Sequence, residues 1–460
     1  MELLINSAFL VSAIGFILGL KLMGKPSQAK LGNSIAALGM IIAIATTAFM
    51  VIGGAPKITN IIFLFSALTA GTLIGRYMAF NAEMTGMPQL VSLFNAFGGA
   101  SAVLISINEA VIQTEQTPLI NFLLVVGAVL GGMSFTGSII AYFKLEKNVN
   151  ISNLKLIKFL SLFIFVIIIV SLLMYFSVRF NGLSFLIFIC AMSMLSLIYG
   201  VVFTIPIGGA DMPVLVSFLN AITGVATAFS GLAFNSPIML IGGILVGATG
   251  VFLTFQMCSA MNRSLRVVLA GKIKSAGSSS SSEMEIQTIT PVETASLLAF
   301  SNKIAIIPGY GMAVAQAQQA CFELQKNLMA KGASVTYIIH PVAGRMPGHM
   351  NVLLAEAKVE YHMIKDMDEV NDTMEQFDIC IVIGANDVVN PAAEDDPESV
   401  IYGMPIIKAY LSNQVIVMKR GMAAGYSGAE NPLLGRQNCK LLFGDAKESL
   451  SRILDEIKRI

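Results

Sequence analysis

Glycines and cations that could hold a phosphorylated nucleotide are concentrated in the last third of the chain. Gly309 and Gly311 form a Gly-Tyr-Gly turn directly after the apolar run Ile304–Pro308. A glycine turn between a strand and a helix lets the backbone approach a pyrophosphate, and the helix N-terminus supplies N–H donors. Because Val314 stands where a third glycine usually follows, an ordinary tight turn is the alternative interpretation.

The charges that follow this turn favour NADP over NAD. An NAD site usually has an acid near the end of the second strand, where it bonds a ribose hydroxyl. The predicted second strand ends instead at His340, and the base Arg345 follows. Lys419 and Arg420 come just after a later strand, and two adjacent cations suit a 2′-phosphate. In isolation this pair could equally be a solvated surface feature.

Two further segments have the composition of ligand loops. Gly384–Pro391 follows the fourth predicted strand and contains Asp387, an acid that could bond a ligand or hold a loop. Gly425–Pro432 is bracketed by glycines and is long enough to fold over a ligand. A plain surface loop is the alternative for the second segment.

Around these segments, short Ile- and Val-rich runs alternate with helical stretches. This alternation predicts a doubly wound α/β domain with a parallel sheet. The predicted strands are 303–308, 334–340, 360–364, 378–384, 414–419 and 439–443. The predicted helices include 312–331, 367–376 and 446–458. Asp445 precedes the last helix, with Glu448 placed for a capping box.

The residues before this domain have the composition of an all-α membrane bundle. The chain is 55% hydrophobic and only 12% charged, and soluble proteins have about twice that charged fraction. Nine apolar runs are long enough to cross a bilayer as helices: 3–21, 33–53, 58–76, 88–108, 118–143, 156–178, 182–204, 213–233 and 237–259. We therefore predict a transmembrane domain 1–262, a cytosolic linker 263–295 and a nucleotide-binding domain 296–460.

Basic residues predict the orientation of these spans. They are concentrated in the connections after the first, third, fifth and ninth spans. Loops rich in Lys and Arg face the cytoplasm. The sequence thus predicts a multi-pass protein of the inner (cytoplasmic) membrane, with a periplasmic N-terminus and a cytoplasmic C-terminal domain.

The membrane half contains an internal repeat. Met87–Gly99 matches Met212–Gly224 at a constant offset of 125 residues, and four spans separate the copies, so they run in the same direction. Each copy places an asparagine, Asn95 or Asn220, one turn after a serine on the same helix face. An acid precedes each copy, Asp211 in the second. Contact between helices and an ion pathway remain alternative roles for these polar residues.

Other classes of site receive no support. No basic stripe indicates nucleic-acid binding. The five cysteines form neither a CxxC motif nor a metal-binding spacing, so we predict no metal site.

Taken together, these motifs resemble the beta subunit of proton-translocating NAD(P) transhydrogenase. The resemblance covers essentially the whole chain. It rests on Pro308–Gln316, His340–Ala357, Gly384–Pro391 and Lys419–Pro432, on the membrane repeat, and on the ending 256–263 of the last span.

The resemblance implies an Si/Re-specific enzyme that transfers hydride between NADH and NADP⁺, coupled to proton translocation. NADP(H) is expected on this chain, and NAD(H) on a partner alpha subunit that also carries the remaining membrane helices. The alpha–beta unit is expected to form a homodimer. Hydride transfer needs no protein nucleophile, since the cofactors carry the chemistry.

The resemblance also assigns residues. The expected NADP(H)-binding residues are Gly309, Tyr310, Gly311, Met312, Ala313, Val314, Arg345, Gly384, Asn386, Asp387, Lys419, Arg420, Gly425 and Tyr426. Among these, Asp387 is expected to couple proton movement to nucleotide binding, and Tyr426 to lie in a loop over the nucleotide. The expected proton path contains Asn95, Ser138, Asp211 and Asn220.

Two residues depart from the family pattern. Asn95 replaces a frequent histidine and cannot change charge, and Gly421 replaces a frequent hydroxyl residue beside the expected phosphate site. The alternative functions are a transporter or channel with a nucleotide-sensing domain, although no TVGYG-type filter is present, and a membrane-tethered NADP-dependent reductase.

Overall fold

The computed structural model describes residues 2–24, 28–53, 57–82, 86–112, 117–146, 154–177, 182–271, 286–344, 348–422, 425 and 427–460. They form two compact units, Met1–Leu253 and Thr254–Ile460, which we treat separately. The domain limits at 262 and 295 remain a prediction, and much of the predicted linker lies outside the described residues.

Nine helices within the described ranges are long and apolar enough to cross a membrane, as the sequence predicted. They are α1 Glu2–Met23, α2 Ala29–Gly53, α3 Ile58–Asn81, α4 Met87–Ile112, α5 Pro118–Glu146, α6 Leu154–Met174, α7 Leu183–Thr204, α8 Met212–Ala233 and α9 Pro237–Ala260. A helix satisfies its backbone hydrogen bonds internally, which the apolar interior of a bilayer requires.

Glycines allow the central helices to pack backbone against backbone. A Cβ atom on Gly99 of α4 would lie 2.6 Å from the carbonyl oxygen of Gly131 on α5. The second copy of the repeat packs in the same manner, since a Cβ on Gly224 of α8 would lie 2.9 Å from the Gly243 oxygen on α9. Small residues at such crossings let helices associate tightly in lipid. The sequence repeat is therefore also a repeat of helix packing.

The repeated serines reinforce these two helix pairs. Ser92 Oγ of α4 donates to the carbonyl oxygen of Ser138 on α5 at 2.8 Å. Its counterpart Ser217 on α8 donates to the carbonyl oxygen of Gly250 on α9 at 3.2 Å. Each copy thus attaches its serine to the backbone of the next helix in the chain.

The C-terminal unit contains a six-stranded parallel sheet in the order β3-β2-β1-β4-β5-β6, as expected for a doubly wound fold. The strands are β1 Lys303–Pro308, β2 Ser334–Ile339, β3 Ile364–Asp366, β4 Ile379–Ile383, β5 Gln414–Lys419 and β6 Cys439–Phe443. Ile304 of β1 lies between Val335 of β2 and Ile379 of β4. The strand order reverses at this β1–β4 boundary, which is where such folds bind ligands.

The helices of this unit include α10 Leu265–Leu269, α11 Pro291–Ala299, α12 Tyr310–Val314, α13 Gln318–Ala330, α14 His349–Glu356, α15 Met367–Val370, α16 Ala392–Asp395 and α17 Ala446–Arg459. The predicted helix 312–331 is therefore two helices, α12 and α13. Gln316 adopts a left-handed φ of 49° between them, and the N–H of Ala317 bonds back to the Met312 oxygen. These features end α12 after little more than one turn.

Two further elements differ from prediction. The third strand is Ile364–Asp366 rather than 360–364, because a 3₁₀ turn occupies Tyr361–Met363. The predicted helix 367–376 is α-helical only at Met367–Val370, and a 3₁₀ turn follows. Asn371 explains this change, since its side chain donates to the oxygen of Ile406 and accepts from the N–H of Lys408 in a neighbouring loop.

The α4–α5 crossing should be sensitive to added volume. We expect Gly99→Val to destabilise the membrane unit by about 1–3 kcal/mol, because overpacking forces apart two helix backbones. Thermal unfolding of the detergent-purified chain would measure this effect. Gly71→Val on α3 is the matched control, because no atom lies within 4 Å of its added Cβ. Equal losses for both variants would contradict the assigned packing.

Candidate functional site

A cleft of about 270 Å³ lies at the carboxyl ends of β1, β4, β5 and β6. It is lined by Gly311, Ala315, Gly384, Ala385, Asn386, Met418, Lys419, Arg420, Gly421, Gly425, Gly444, Asp445 and Ala446. The cleft includes the boundary where the strand order reverses. Six of the predicted nucleotide-binding residues therefore line one cavity: Gly311, Gly384, Asn386, Lys419, Arg420 and Gly425.

At this cleft, the backbones of two glycines are in direct contact, with no side chain between them. Gly384 has a left-handed φ of +64°, and a Cβ on Gly311 would lie 2.6 Å from the Gly384 Cα. The N–H of Gly311 donates to the oxygen of Gly384 at 2.9 Å, and the N–H of Gly309 donates to the oxygen of Ile383 at 2.9 Å. These two N–H groups hold the turn against β4. The glycines therefore contribute close backbone approach to the cleft, while their N–H groups bond to protein.

The other residues of this predicted turn do not line the cleft. Met312 and Ala313 are buried in the core, and Val314 is exposed. Tyr310 places its ring edge-on to His349, with the ring centroids 6.1 Å apart. Their side chains therefore position the turn within the fold.

The two predicted cations have different environments. Lys419 is half-buried, and its Nζ donates to Asn386 Oδ1 at 3.1 Å. Desolvation lowers the pKa of Lys419 from its ordinary value, and the negative charge of Asp387 opposes this shift. Arg420 is exposed at the rim of the cleft. An anionic group entering the cleft would meet one desolvated cation and one solvated cation.

Asp387 connects the loop after β4 to the glycine loop after β5. Its Oδ2 accepts from the N–H of Ser427 at 2.8 Å, and its Oδ1 accepts from Asn386 Nδ2 at 3.0 Å. Gly425 packs so closely that an added Cβ would overlap Asp387 Oδ1. The carboxylate thus holds the glycine loop at the cleft.

Two further asparagines support the same junction. Asn390 Nδ2 donates to the carbonyl oxygen of Glu430 at 2.9 Å, and Asn431 Nδ2 donates to the carbonyl oxygen of Asn386 at 3.2 Å. Both side chains are buried. The two loops are therefore connected in both directions by amide groups as well as by the carboxylate.

The chain after β2 is fixed by a buried histidine. His340 Nε2 lies 2.7 Å from the carbonyl oxygen of Pro405 and must donate to it, while Nδ1 accepts from the N–H of Val342. Burial lowers the pKa of His340, which favours the neutral ring. Arg345, which follows, lies outside the described residues, and so does Tyr426 of the glycine loop.

In the membrane unit, the structure brings two of the four predicted polar residues together. The buried Asn95 Nδ2 donates to Ser138 Oγ at 2.8 Å and to Ser134 Oγ at 3.2 Å. Asn220 is only half-buried and makes no side-chain hydrogen bond to the part of the chain that the structure describes. Asp211 is buried immediately before α8.

Comparison with known proteins identifies the family. The family model described as NAD(P) transhydrogenase beta subunit matches residues 5–456. NAD(P) transhydrogenase subunit beta of Rhodospirillum rubrum is 37% identical over 464 residues, which cover 97% of this chain and 98% of that protein. A second sequence of this subunit, from a defined strain of the same bacterium, gives the same values.

This chain belongs to the NAD(P) transhydrogenase beta subunit family. It is therefore part of a membrane-bound oxidoreductase that couples hydride transfer to proton translocation, as the sequence predicted. A beta subunit implies an alpha partner, and the family implies the use of NADP(H) and NAD(H). The comparisons do not favour the alternative of a transporter with a nucleotide-sensing domain.

Sequence reasoning missed one side of the transhydrogenase cleft. Gly444, Asp445 and Ala446 line it directly after β6. Asp445 also caps α17, because its side chain accepts from the N–H groups of Lys447 and Glu448. The sequence predicted a cap at Asp445, and the bonds to Lys447 and Glu448 confirm that part of the predicted capping box. Only the strand order places this helix start beside β5.

Replacement of Gly384 tests the backbone contact. We expect Gly384→Ala to reduce both unfolding stability and NADP(H) affinity, since a left-handed φ costs an L-residue about 1–2 kcal/mol and the new Cβ meets Gly311. Gly332→Ala is the control, because Gly332 has a φ of +93° with no atom near its Cβ. Calorimetric titration with NADPH should show weaker binding only for Gly384→Ala. Similar affinities for both variants would refute the role of the contact.

Proposed function

We propose that this chain carries the NADP(H) site of the transhydrogenase, in the cleft at the β1–β4 boundary, and that NAD(H) binds the alpha partner. The observation that supports this most directly is the position of Lys419. It reaches Asn386 beside the bare Gly311–Gly384 contact, so a desolvated cation lies next to a backbone that a dinucleotide can approach. Arg420 supplies a second cation at the same rim.

The residues present fit NADP(H) better than NAD(H). His340 stands at the position after β2 where NAD sites use an acid, and its ring is already bonded to the Pro405 oxygen. Lys419 and Arg420 could pair with a 2′-phosphate, and cationic partners make stronger hydrogen bonds to phosphate than neutral ones. Gly421 offers no hydroxyl there, so the two cations would carry the recognition. When bound, the nicotinamide supplies the hydride chemistry, and this chain positions it.

We assign the coupling role to Asp387 and the covering role to the loop that contains Tyr426. The ionised carboxylate of Asp387 accepts hydrogen bonds from Ser427 and Asn386. A protonated carboxyl is a weaker acceptor, so proton uptake would loosen the glycine loop. Loop position and nucleotide affinity would then depend on protonation, and this dependence is reciprocal.

The membrane unit would supply the proton. We place Asn95, Ser138, Asp211 and Asn220 on the route, with Asn95 and Ser138 in hydrogen-bonded contact. The bias of basic connections supports a periplasmic N-terminus and a cytoplasmic C-terminal domain in the inner membrane. We also propose the alpha–beta homodimer that the family resemblance implies.

Cofactor selectivity tests the phosphate assignment. We expect Lys419→Gln and Arg420→Gln each to weaken NADP(H) binding by about tenfold or more, the usual loss when a charged hydrogen bond is removed. NAD(H) affinity should not change. Titration of the full-length chain with both nucleotides measures this difference, and Lys440→Gln on β6, which does not line the cleft, is the control. Equal losses for both nucleotides would refute the assignment.

Coupling is tested in inverted membrane vesicles that contain the chain and its alpha partner. In the family, proton entry into the cell drives hydride transfer from NADH to NADP⁺. With the cytoplasmic face outward, the reverse reaction, reduction of an NAD⁺ analogue by NADPH, should therefore acidify the lumen. Asp387→Asn should reduce the effect of an imposed proton gradient on hydride transfer at least about tenfold, since an amide cannot take up the proton. Asp455→Asn, an exposed change on α17, should leave the gradient effect intact. A gradient effect that persists in Asp387→Asn would exclude the coupling role.

A further inference from the structure

A carboxyl group is buried near the C-terminal end of α4. Glu109 is 4% exposed and lies three residues before the helix ends at Ile112. Ionisable groups buried at membrane depth are costly, and they usually face an interior route for ions or protons. The other charged residues on α4, α5, α7 and α8 are Lys144 and Glu146, in the last turn of α5.

Those two charges lie at the opposite end of the helices from Glu109. Gln89, in the first turn of α4, donates to the oxygen of Leu145 near the end of α5. Helices α4 and α5 are therefore antiparallel. Asp211, immediately before α8, belongs to the end where α8 begins, and α4 and α8 run in the same direction. The buried carboxyls Glu109 and Asp211 thus lie at opposite ends of this helix group.

A buried hydroxyl lies one turn from Glu109. Ser106 is fully buried, and its Oγ has no hydrogen-bond partner within the described residues. Gly127 of α5 leaves the space for it, since a Cβ there would lie 3.2 Å from Ser106 Oγ and 3.1 Å from Ser230 Oγ of α8. The hydroxyls of α4 and α8 therefore approach each other in the space that the glycine of α5 leaves open. A hydroxyl without a partner is unfavourable in an apolar interior, which argues for a water or another polar group at this point.

Hydroxyls continue from this point along α8. Ser230, Thr227 and Thr223 follow one another at helical spacings of three and four residues, so they share one face. Thr223 Oγ1 lies 2.5 Å from Ser134 Oγ of α5. Ser134 Oγ in turn accepts from Asn95 Nδ2 at 3.2 Å. A series of polar groups thus extends from the level of Ser106 to Asn95 and its two serine partners, Ser134 and Ser138.

We propose that Glu109 is the proton-carrying group at its end of the transhydrogenase proton path, and that Ser106 and the α8 hydroxyls connect it to Asn95 and Ser138. This inference rests on the proposed function of the membrane unit. It supplies the ionisable group that asparagine at position 95 cannot provide. Successive hydroxyls on α8 are about 4.5–6 Å apart along the axis, a gap that one water bridges.

The proton balance of this path is simple. The Glu109 carboxylate takes one proton from the aqueous side and returns to its charged form when it passes that proton inward. Each hydroxyl or bridging water accepts one proton on a lone pair and releases its own, while Asn95 keeps its protons and only donates hydrogen bonds to Ser134 and Ser138. No group between Glu109 and Asp211 therefore changes net charge. Asp211 is then the carboxyl at the other end.

The test uses the complete complex with its alpha partner in inverted vesicles, with lumen pH and hydride transfer recorded together. We expect Glu109→Gln to reduce proton movement and coupled hydride transfer by at least about tenfold, as for loss of an acid–base group. NADP(H) affinity should be unchanged. Glu109→Asp keeps an ionisable group and should restore at least a third of the activity.

Two serines on α4 form a matched pair of variants. Ser106→Ala should slow proton movement severalfold, because it removes the hydroxyl next to Glu109. Ser101→Ala should have no effect, since Ser101 is exposed and its hydroxyl bonds Phe97 of its own helix at 2.9 Å.

Each result has a distinct meaning. Wild-type proton movement in Glu109→Gln would overturn the inference while leaving the proposed function intact. Equal inactivity of Glu109→Gln and Glu109→Asp, with less assembled complex, would assign Glu109 a structural role and also overturn it. A wild-type complex that transfers hydride without moving protons would overturn the proposed function first.

Discussion

The contact between the backbones of Gly311 and Gly384 is the constraint on which the cleft of the C-terminal unit depends. It places the turn after β1 against the end of β4, where the order of the parallel strands reverses. Side chains on these two residues would separate the strand ends and fill the cleft. Because Asn386 and Asp387 follow Gly384 immediately, the same contact also fixes the groups that reach Lys419 and the glycine loop.

Glycines have the same role in the membrane unit, where they bring polar side chains to the helix surfaces that meet. The two repeat copies nevertheless differ in the hydrogen bonds that they make. Ser92 bonds the backbone of Ser138, whose hydroxyl accepts from Asn95, whereas Ser217 bonds the backbone of Gly250, which has no hydroxyl. Asn95 is therefore part of a buried network, whereas its counterpart Asn220 makes no side-chain hydrogen bond to the residues that the structure describes. The asymmetry originates in the partner helices α5 and α9, because the matching segments themselves are alike.

Elements with a strong local signal were predictable from the sequence. Strands β1, β4 and β5 are nearly continuous buried runs, and the prediction placed them within one residue. The short β3 is largely exposed at the sheet edge, so it has no apolar pattern. The break at Gln316 was not predictable, because its left-handed conformation occurs in a residue other than glycine.

The sites followed the same rule. Residues within one motif, such as Gly384 and Asn386, could be predicted together because neighbouring positions carry the signal, and both line the cleft. Contacts that depend on the register of two helices, such as Ser134 of α5 with Thr223 of α8, could not be predicted, because the sequence does not show which way a hydroxyl on an apolar helix points. The position of Asp445 beside the cleft could likewise be seen only once the strand order was known.

Asn386 explains how protonation and phosphate binding could affect each other. Its Oδ1 accepts from Lys419, and its Nδ2 donates to Asp387, so one amide separates the cation from the carboxylate. Burial lowers the pKa of Lys419, and the charge of Asp387 acts against this effect. Protonation of Asp387 would remove that charge and the best acceptor for Ser427, whereas a 2′-phosphate would supply a new negative charge to Lys419. Under the proposed function, nucleotide and proton would therefore act on one continuous set of hydrogen bonds, and a change at either end would reach the glycine loop through Asn386 and Asp387.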